Sequence, residues 1–132
     1  MNENLLKSFA GNNGATAGVI AKSEIALQWP LPVDYKDFLK NTNGGEGFVG
    51  ENYLILWTAE ELAQFNNEYQ VKDYAPGLVL FGSDGGGEGY AFDTRTIPAP
   101  IVRVPFIGMD LAYIRPMADS FSEFLNKLAE KS

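Results

Sequence analysis

Apolar residues recur along this chain with two different periods, one helical and one alternating, and glycines and prolines stand where one gives way to the other. From Thr16 to Trp29 the apolar positions Val19, Ile20, Ala26 and Leu27 are separated by polar ones, an amphipathic helix that Pro30 and Pro32 stop. Pro32 suits the start of a second helix, which puts Val33, Tyr35, Phe38 and Leu39 on one side and Lys36, Asp37 and Lys40 on the other. Asn43-Gly44-Gly45 then supplies residues that tolerate positive φ, as helix ends and turns require. A shorter helix is expected from Glu3 to Phe9, with Gly11-Asn12-Asn13-Gly14 as the break after it.

The middle of the chain reads as strands. Tyr53 to Trp57 is a compact apolar and aromatic run. Thr58-Ala59-Glu60-Glu61 follows with the spacing of a capping box, so a helix starts there and carries Leu62, Phe65 and Tyr69 inward. Pro76-Gly77 precedes a second strand, Leu78 to Phe81. The glycine-dense stretch Gly82 to Gly89 joins it to Tyr90-Ala91-Phe92-Asp93, which is a hairpin signal. Ile101 to Phe106 offers a further strand ending near Pro105, and Ile107 to Ile114 reads as another with Gly108 as a kink. Ser120 to Glu123 repeats the capping-box spacing ahead of the apolar stripe Phe121, Phe124, Leu125 and Leu128. Helices that bracket closely spaced strands favour an α+β fold with a largely antiparallel sheet of about four to six strands. Residues 1–132 are read as one domain, with 1–15 as a short extra helix or a loosely ordered lead-in.

Composition narrows the chemistry. The 132 residues include no cysteine and no histidine, which removes disulfides, thiolate nucleophiles, Cys/His zinc sites and imidazole bases together. The net charge of −7 argues against nucleic acid or an anionic membrane as partner, since both reward Lys and Arg. That charge is unevenly placed. Glu46 to Asp93 holds nine acids against the single base Lys72, a balance of −8, whereas the flanks hold eight acids and nine bases. The acidic middle is either one acidic face or a solvated surface. The amino-terminal Met1 to Lys7 has an acid where a secretory signal carries bases, and every apolar run is interrupted well short of ~18 residues. With zero cysteine, this places the expectation in the cytoplasm.

Candidate motifs are few. The loop Gly82 to Gly89 lacks the Lys of a phosphate loop and is followed by a strand, while Asp84 and Glu88 would repel phosphate. Asp84, Glu88 and Asp93 offer hard oxygen ligands, but without EF-hand spacing, and a glycine-rich hairpin is the preferred reading over a calcium loop. Glu60 and Glu61 point about 100° apart on a helix and cannot flank one bond as a glycosidase pair does. Arg95, Arg103 and Arg115 are too sparse for a nucleic-acid groove, and the aromatics Trp29, Tyr53, Trp57, Phe81, Tyr90 and Phe92 read mostly as core. Neither catalytic residues, nor a metal site, nor a cofactor is expected.

The ordered set Leu31-Pro32-x-Asp34-Tyr35-x-x-Phe38-Leu39, Asn43-Gly44-Gly45, Leu54-Ile55-Leu56-Trp57 with Glu60-Glu61-Leu62, Gly82-Ser83-Asp84-Gly85-Gly86-Gly87-Glu88, and Ala118-Asp119-Ser120-Phe121-x-Glu123-Phe124-Leu125 resembles the SUKH superfamily. That group includes the fungal cell-wall synthesis regulator domain and many bacterial immunity proteins. The resemblance runs from about Thr16 onward and implies a non-enzymatic α+β domain that binds another protein, typically a toxin domain such as a nuclease. An acidic centre suits a basic toxin domain, and the contacts are sought at Glu46, Glu51, Glu60, Glu61, Asp84 and Glu88. The alternative within the same fold is a regulatory or scaffold module for endogenous proteins. A carboxylate-based metal hydrolase is the competing reading from another class.

Overall fold

The computed structural model describes residues 8–130. Seven antiparallel strands lie in one sheet in strict chain order: β1 (Ser8–Gly11), β2 (Gly45–Val49), β3 (Asn52–Leu56), β4 (Leu78–Ser83), β5 (Glu88–Asp93), β6 (Ile101–Pro105) and β7 (Arg115–Ala118). Five helices accompany them: α1 (Ala17–Leu27), α2 (Val33–Asn41), α3 (Leu62–Glu68), α4 (Val71–Tyr74) and α5 (Phe121–Glu130). The α+β reading holds, and the strand count exceeds the expected four to six.

The extra strands come from segments with little strand character of their own. Ser8 and Phe9, expected in a helix, lie in β1, while Glu3 to Lys7 of that expected helix fall outside the described residues. β1 pairs with β2 because Gly45 and Gly47 leave room for it. A Cβ on either would stand 2.3 Å from a β1 carbonyl oxygen, that of Ala10 or Ser8. Both glycines also sit at positive φ, near +138° and +152°. Ile107 to Ile114 is not a strand. It is a turn and a short 3-10 helix at Leu111–Tyr113, started by the Asp110 carboxylate, which accepts the Ala112 N–H at 2.8 Å. The strand follows it instead, as β7.

Helix boundaries obey their local chemistry. The Thr16 hydroxyl accepts the Val19 N–H at 3.2 Å to open α1, and Gln28 ends it in the left-handed region. The Thr58 N–H donates to the Glu61 carboxylate at 3.0 Å, closing the expected capping box. At α5 the Ser120 hydroxyl accepts the Glu123 N–H at 3.2 Å, but the Glu123 carboxylate turns back to the Asp119 N–H rather than to Ser120.

The core is aromatic and centred on one irregularity. The β4–β5 register shifts between Leu80 and Gly82, so Phe81 is an extra residue in its strand. Leu80 keeps the face of Ala91, while the Phe81 ring stands 5.8 Å from Tyr35, 4.7 Å from Phe92, 5.7 Å from Phe121 and 5.6 Å from Phe124. These contacts join α2, α5 and the sheet in one cluster. A second connection is polar: the Asp34 carboxylate in α2 accepts the Ser122 N–H of α5 at 2.9 Å.

β3 pairs with β4 at only two register positions, Ile55 with Ser83 and Leu56 with Gly82, before the chain leaves for α3. The exposed ladder is completed by a side chain. Asn66 of α3 accepts the Leu80 N–H at 2.8 Å and donates to the Leu80 carbonyl at 3.0 Å, replacing the strand that turned away.

Two stability predictions follow from these contacts. Asn66→Ala strands a donor and an acceptor on the fully buried Leu80, and a loss of about 2–3 kcal/mol is expected in chemical denaturation. A loss under about 0.5 kcal/mol would show that Asn66 does not carry the ladder. The Tyr35 hydroxyl is buried and has no hydrogen-bond partner, and desolvation raises its pKa above the usual tyrosine range. Tyr35→Phe keeps the ring packing and removes that orphan oxygen, so unfolding free energy should be unchanged or up by about 1 kcal/mol. Clear destabilisation would contradict this.

Candidate partner-binding surfaces

Register decides which side chains share a face. Glu46 pairs with Ile55, Ile55 with Ser83, Ser83 with Gly89 and Gly89 with Val104, so these five positions lie on one side of the sheet. Glu88, one residue before Gly89, points to the other side with Tyr90 and its partner Arg103. The side bearing Tyr90 is the one that α2 and α5 cover: Tyr90 meets Phe124 edge-on at 4.8 Å and Phe92 lies tilted against Tyr35 at 5.1 Å.

The opposite side is covered over only part of its width. Trp57, Phe65, Tyr69 and Phe106 form a run of ring contacts there, with Tyr69 stacked 4.5 Å from Phe106. Over β1, β2 and β3 the same side stays open, presenting Ser8, Ala10, Glu46, Phe48, Tyr53 and Ile55 as exposed or half-buried residues. Phe48 is 50% exposed and meets Tyr53 edge-on at 5.1 Å. The Tyr53 hydroxyl donates to the Glu46 carboxylate, and that hydrogen bond is the largest cause holding the Tyr53 pKa above its ordinary value. Tyr53 is therefore not the core residue that its apolar neighbours suggest.

The six acids sought as contacts are not gathered in one place. Glu46 belongs to the open face just described. Glu51 is exposed in the tight turn between β2 and β3. Glu60 and Glu61 stand at the entrance to α3 and are engaged there: Asn43 donates to Glu60 at 2.8 Å while accepting the Ala59 N–H at 2.7 Å, and Glu61 caps Thr58. Asp84 shapes the β4–β5 turn by accepting the Gly86 N–H at 2.7 Å and the Glu88 N–H at 3.3 Å. Gly85 supplies the positive φ of +83° that this turn requires. Glu88 lies 3.5 Å from the Arg103 Nε. Asp84 and Glu88 both raise the Tyr90 pKa, after the larger effect of burial, and Arg103 opposes them. Asp84, Glu88, Tyr90 and Arg103 thus form one electrostatic group, and Glu46 with Tyr53 a second, on the other side of the sheet.

Asp93 is committed to Arg95, which donates to it through Nε at 2.9 Å, through a terminal nitrogen at 2.8 Å and through its backbone N–H at 3.1 Å. These bonds hold the Asp93 carboxyl below the usual range. Among the described residues no three acidic side chains are grouped so as to hold a metal ion, and no helix is long and apolar enough to cross a membrane. The sequence did not single out Phe48, read Tyr53 as core rather than as part of the open face, and gave no sign that Arg103 pairs with Arg115 across β6 and β7. The alternation Gly45-x-Gly47-x-Val49 is the one local signal for the first of these, because it marks a strand whose other face needs room.

A family model described as SMI1 / KNR4 family (SUKH-1) matches residues 14–127. The chain belongs to this family. The SUKH-1 match starts after β1 and ends within α5, so it takes in both helices and strands of the aromatic cluster. At the level of the family, SUKH-1 domains are toxin-immunity or regulator-like modules, and the family is not known as enzymatic. No curated protein matches the chain.

The Asp93–Arg95 pair gives this SUKH-1 domain a defined acid response. A carboxyl whose folded pKa is depressed contributes stability above its unfolded pKa, and that contribution disappears as pH falls through the folded value. Asp93→Asn should therefore be less stable than the parent at neutral pH, with the difference shrinking as pH drops below the normal carboxylate range. Denaturation midpoints measured across the acid limb check this, and a pH-independent difference would contradict it.

Proposed function

We propose that this SUKH-1 domain is a cytoplasmic immunity-type protein that binds a basic toxin domain, such as a nuclease, and neutralises it by covering its working surface. The observation that carries the reading is the open face over β1, β2 and β3, where Phe48 and Tyr53 form an exposed aromatic pair beside Glu46. Interfaces concentrate their energy in such aromatic anchors, and acidic residues around them steer a basic partner into place. Glu51 adds to the negative field from the neighbouring turn between β2 and β3, while Glu60, Glu61, Asp84 and Glu88 lie elsewhere on the domain and contribute to its overall acidity. A net charge of −7 makes the attraction long-ranged at low salt.

The test is to co-express the chain with any toxin-like product of an adjacent gene, and then to measure binding on the purified pair. Protection and a complex are expected, with an association rate that falls as salt rises. Glu46→Lys should slow association by several-fold to about tenfold, and Phe48→Ala should weaken the complex by about 2 kcal/mol. No protection and no complex would overturn the immunity reading. A complex with an endogenous protein on the same face, and no linked toxin, would assign the regulatory role instead.

A further inference from the structure

The chain has three arginines, and only one is fully used. Arg95 is spent on Asp93. The other two meet: register places Arg103 of β6 directly opposite Arg115 of β7, so their side chains leave the same face of neighbouring strands. Like charges in that position destabilise a ladder unless something negative lies between them. Glu88 supplies one carboxylate, 3.5 Å from the Arg103 Nε, yet that nitrogen is buried and makes no hydrogen bond. The Arg115 side chain forms no ion pair among the described residues.

Both arginines line one open cavity of about 530 Å³, together with Glu88, Pro105, Tyr113 and Ile114. Its walls come from four elements, with Arg115 on β7. β5 and β6 bring Glu88, Arg103 and Pro105, while the short helix before β7 brings Tyr113, whose ring is largely exposed. Two guanidinium groups and one carboxylate leave the cavity with an excess positive charge, in a chain that is otherwise strongly acidic. A guanidinium is a planar fork of donors whose spacing matches the oxygens of a carboxylate or a phosphate, and its charge does not titrate away.

We propose that this cavity is an oxyanion site, in which Arg115 and Arg103 together hold one carboxylate or phosphate group. Glu88 keeps the Arg103 stem in place and limits the site to a single further negative group. The Tyr113 ring forms one wall. The oxyanion arrives either free in solution or as an acidic side chain on a polypeptide that docks against β7, the sheet edge beside the cavity.

Titration calorimetry on the intact protein distinguishes the sources, using inorganic phosphate in one arm and a short glutamate-containing peptide in the other, each referenced to sodium chloride at equal ionic strength. Saturable binding of at least one probe is expected. Phosphate binding would mark a free oxyanion as the ligand, and binding of the peptide alone would mark a carboxylate carried by a partner. Arg115→Gln should weaken binding about tenfold or more, Arg115→Lys should recover part of it, and Lys127→Gln on α5 should leave it unchanged. Amide shifts mapped by nuclear magnetic resonance should centre on Tyr113 and Arg115 on addition of the bound probe, which keeps the test decisive even for a variant that folds poorly. Binding of neither probe beyond chloride, binding that survives Arg115→Gln, or shifts centred elsewhere would overturn the proposal.

Discussion

Everything in this domain is arranged around the ring of Phe81. It is the one residue that the β4–β5 ladder does not pair, and its displacement sends the ring into the layer where Tyr35, Phe92, Phe121 and Phe124 meet. Aromatic pairs at offset and edge-on angles gain energy beyond the area they bury, and they hold rigid positions because each ring has few rotamers. The neighbouring Gly82 makes the irregularity affordable in space: a Cβ there would stand 2.3 Å from the Ile55 carbonyl oxygen. A bulge without that glycine would push β3 away from β4 at the point where only two register positions join them.

That constraint also divides the second face of the sheet. Because β3 leaves β4 early, α3 must come close enough for Asn66 to complete the Leu80 ladder, and α3 then brings Phe65 and Tyr69 over the β4 to β6 half. The half over β1 to β3 is left without a covering helix. The open face is therefore a by-product of how the core is built, and its chemistry is set by what the strands present there, Glu46, Phe48, Tyr53 and Ile55.

Much of the fold was legible in the chain itself, for reasons that particular residues make clear. α2 announces itself through Pro32 and the Tyr35, Phe38, Leu39 stripe, and α5 through Ser120 and the Phe121, Phe124, Leu128 stripe. β4 and β5 are apolar runs with glycines between them. β1, β2 and β7 were not legible, because Gly45, Gly47 and Pro116 have poor strand propensity and become strands only by pairing with a neighbour already in place. The acidic residues could be counted from sequence but not assigned to a side of the sheet. Side depends on register, and a single bulge or a one-residue slip reverses it. The same holds for Arg103 and Arg115, twelve positions apart and adjacent only through the β6–β7 ladder.

The strict chain order of the seven strands has a consequence for how the molecule comes to be folded. β3, β5, β6 and β7 each pair with the strand just before them as short local closures, whereas β1–β2 pairing must span α1 and α2 and β3–β4 pairing must span α3 and α4. α5 makes the longest closures of all. It reaches back to Asn52, which donates to the Leu128 carbonyl at 2.8 Å, and to Asp34, 88 residues upstream of the Ser122 amide it receives. The last helix thus ties the first half of the chain to the second, through hydrogen bonds to Asn52 and Asp34 and through the Phe121 and Phe124 rings packed on Phe81.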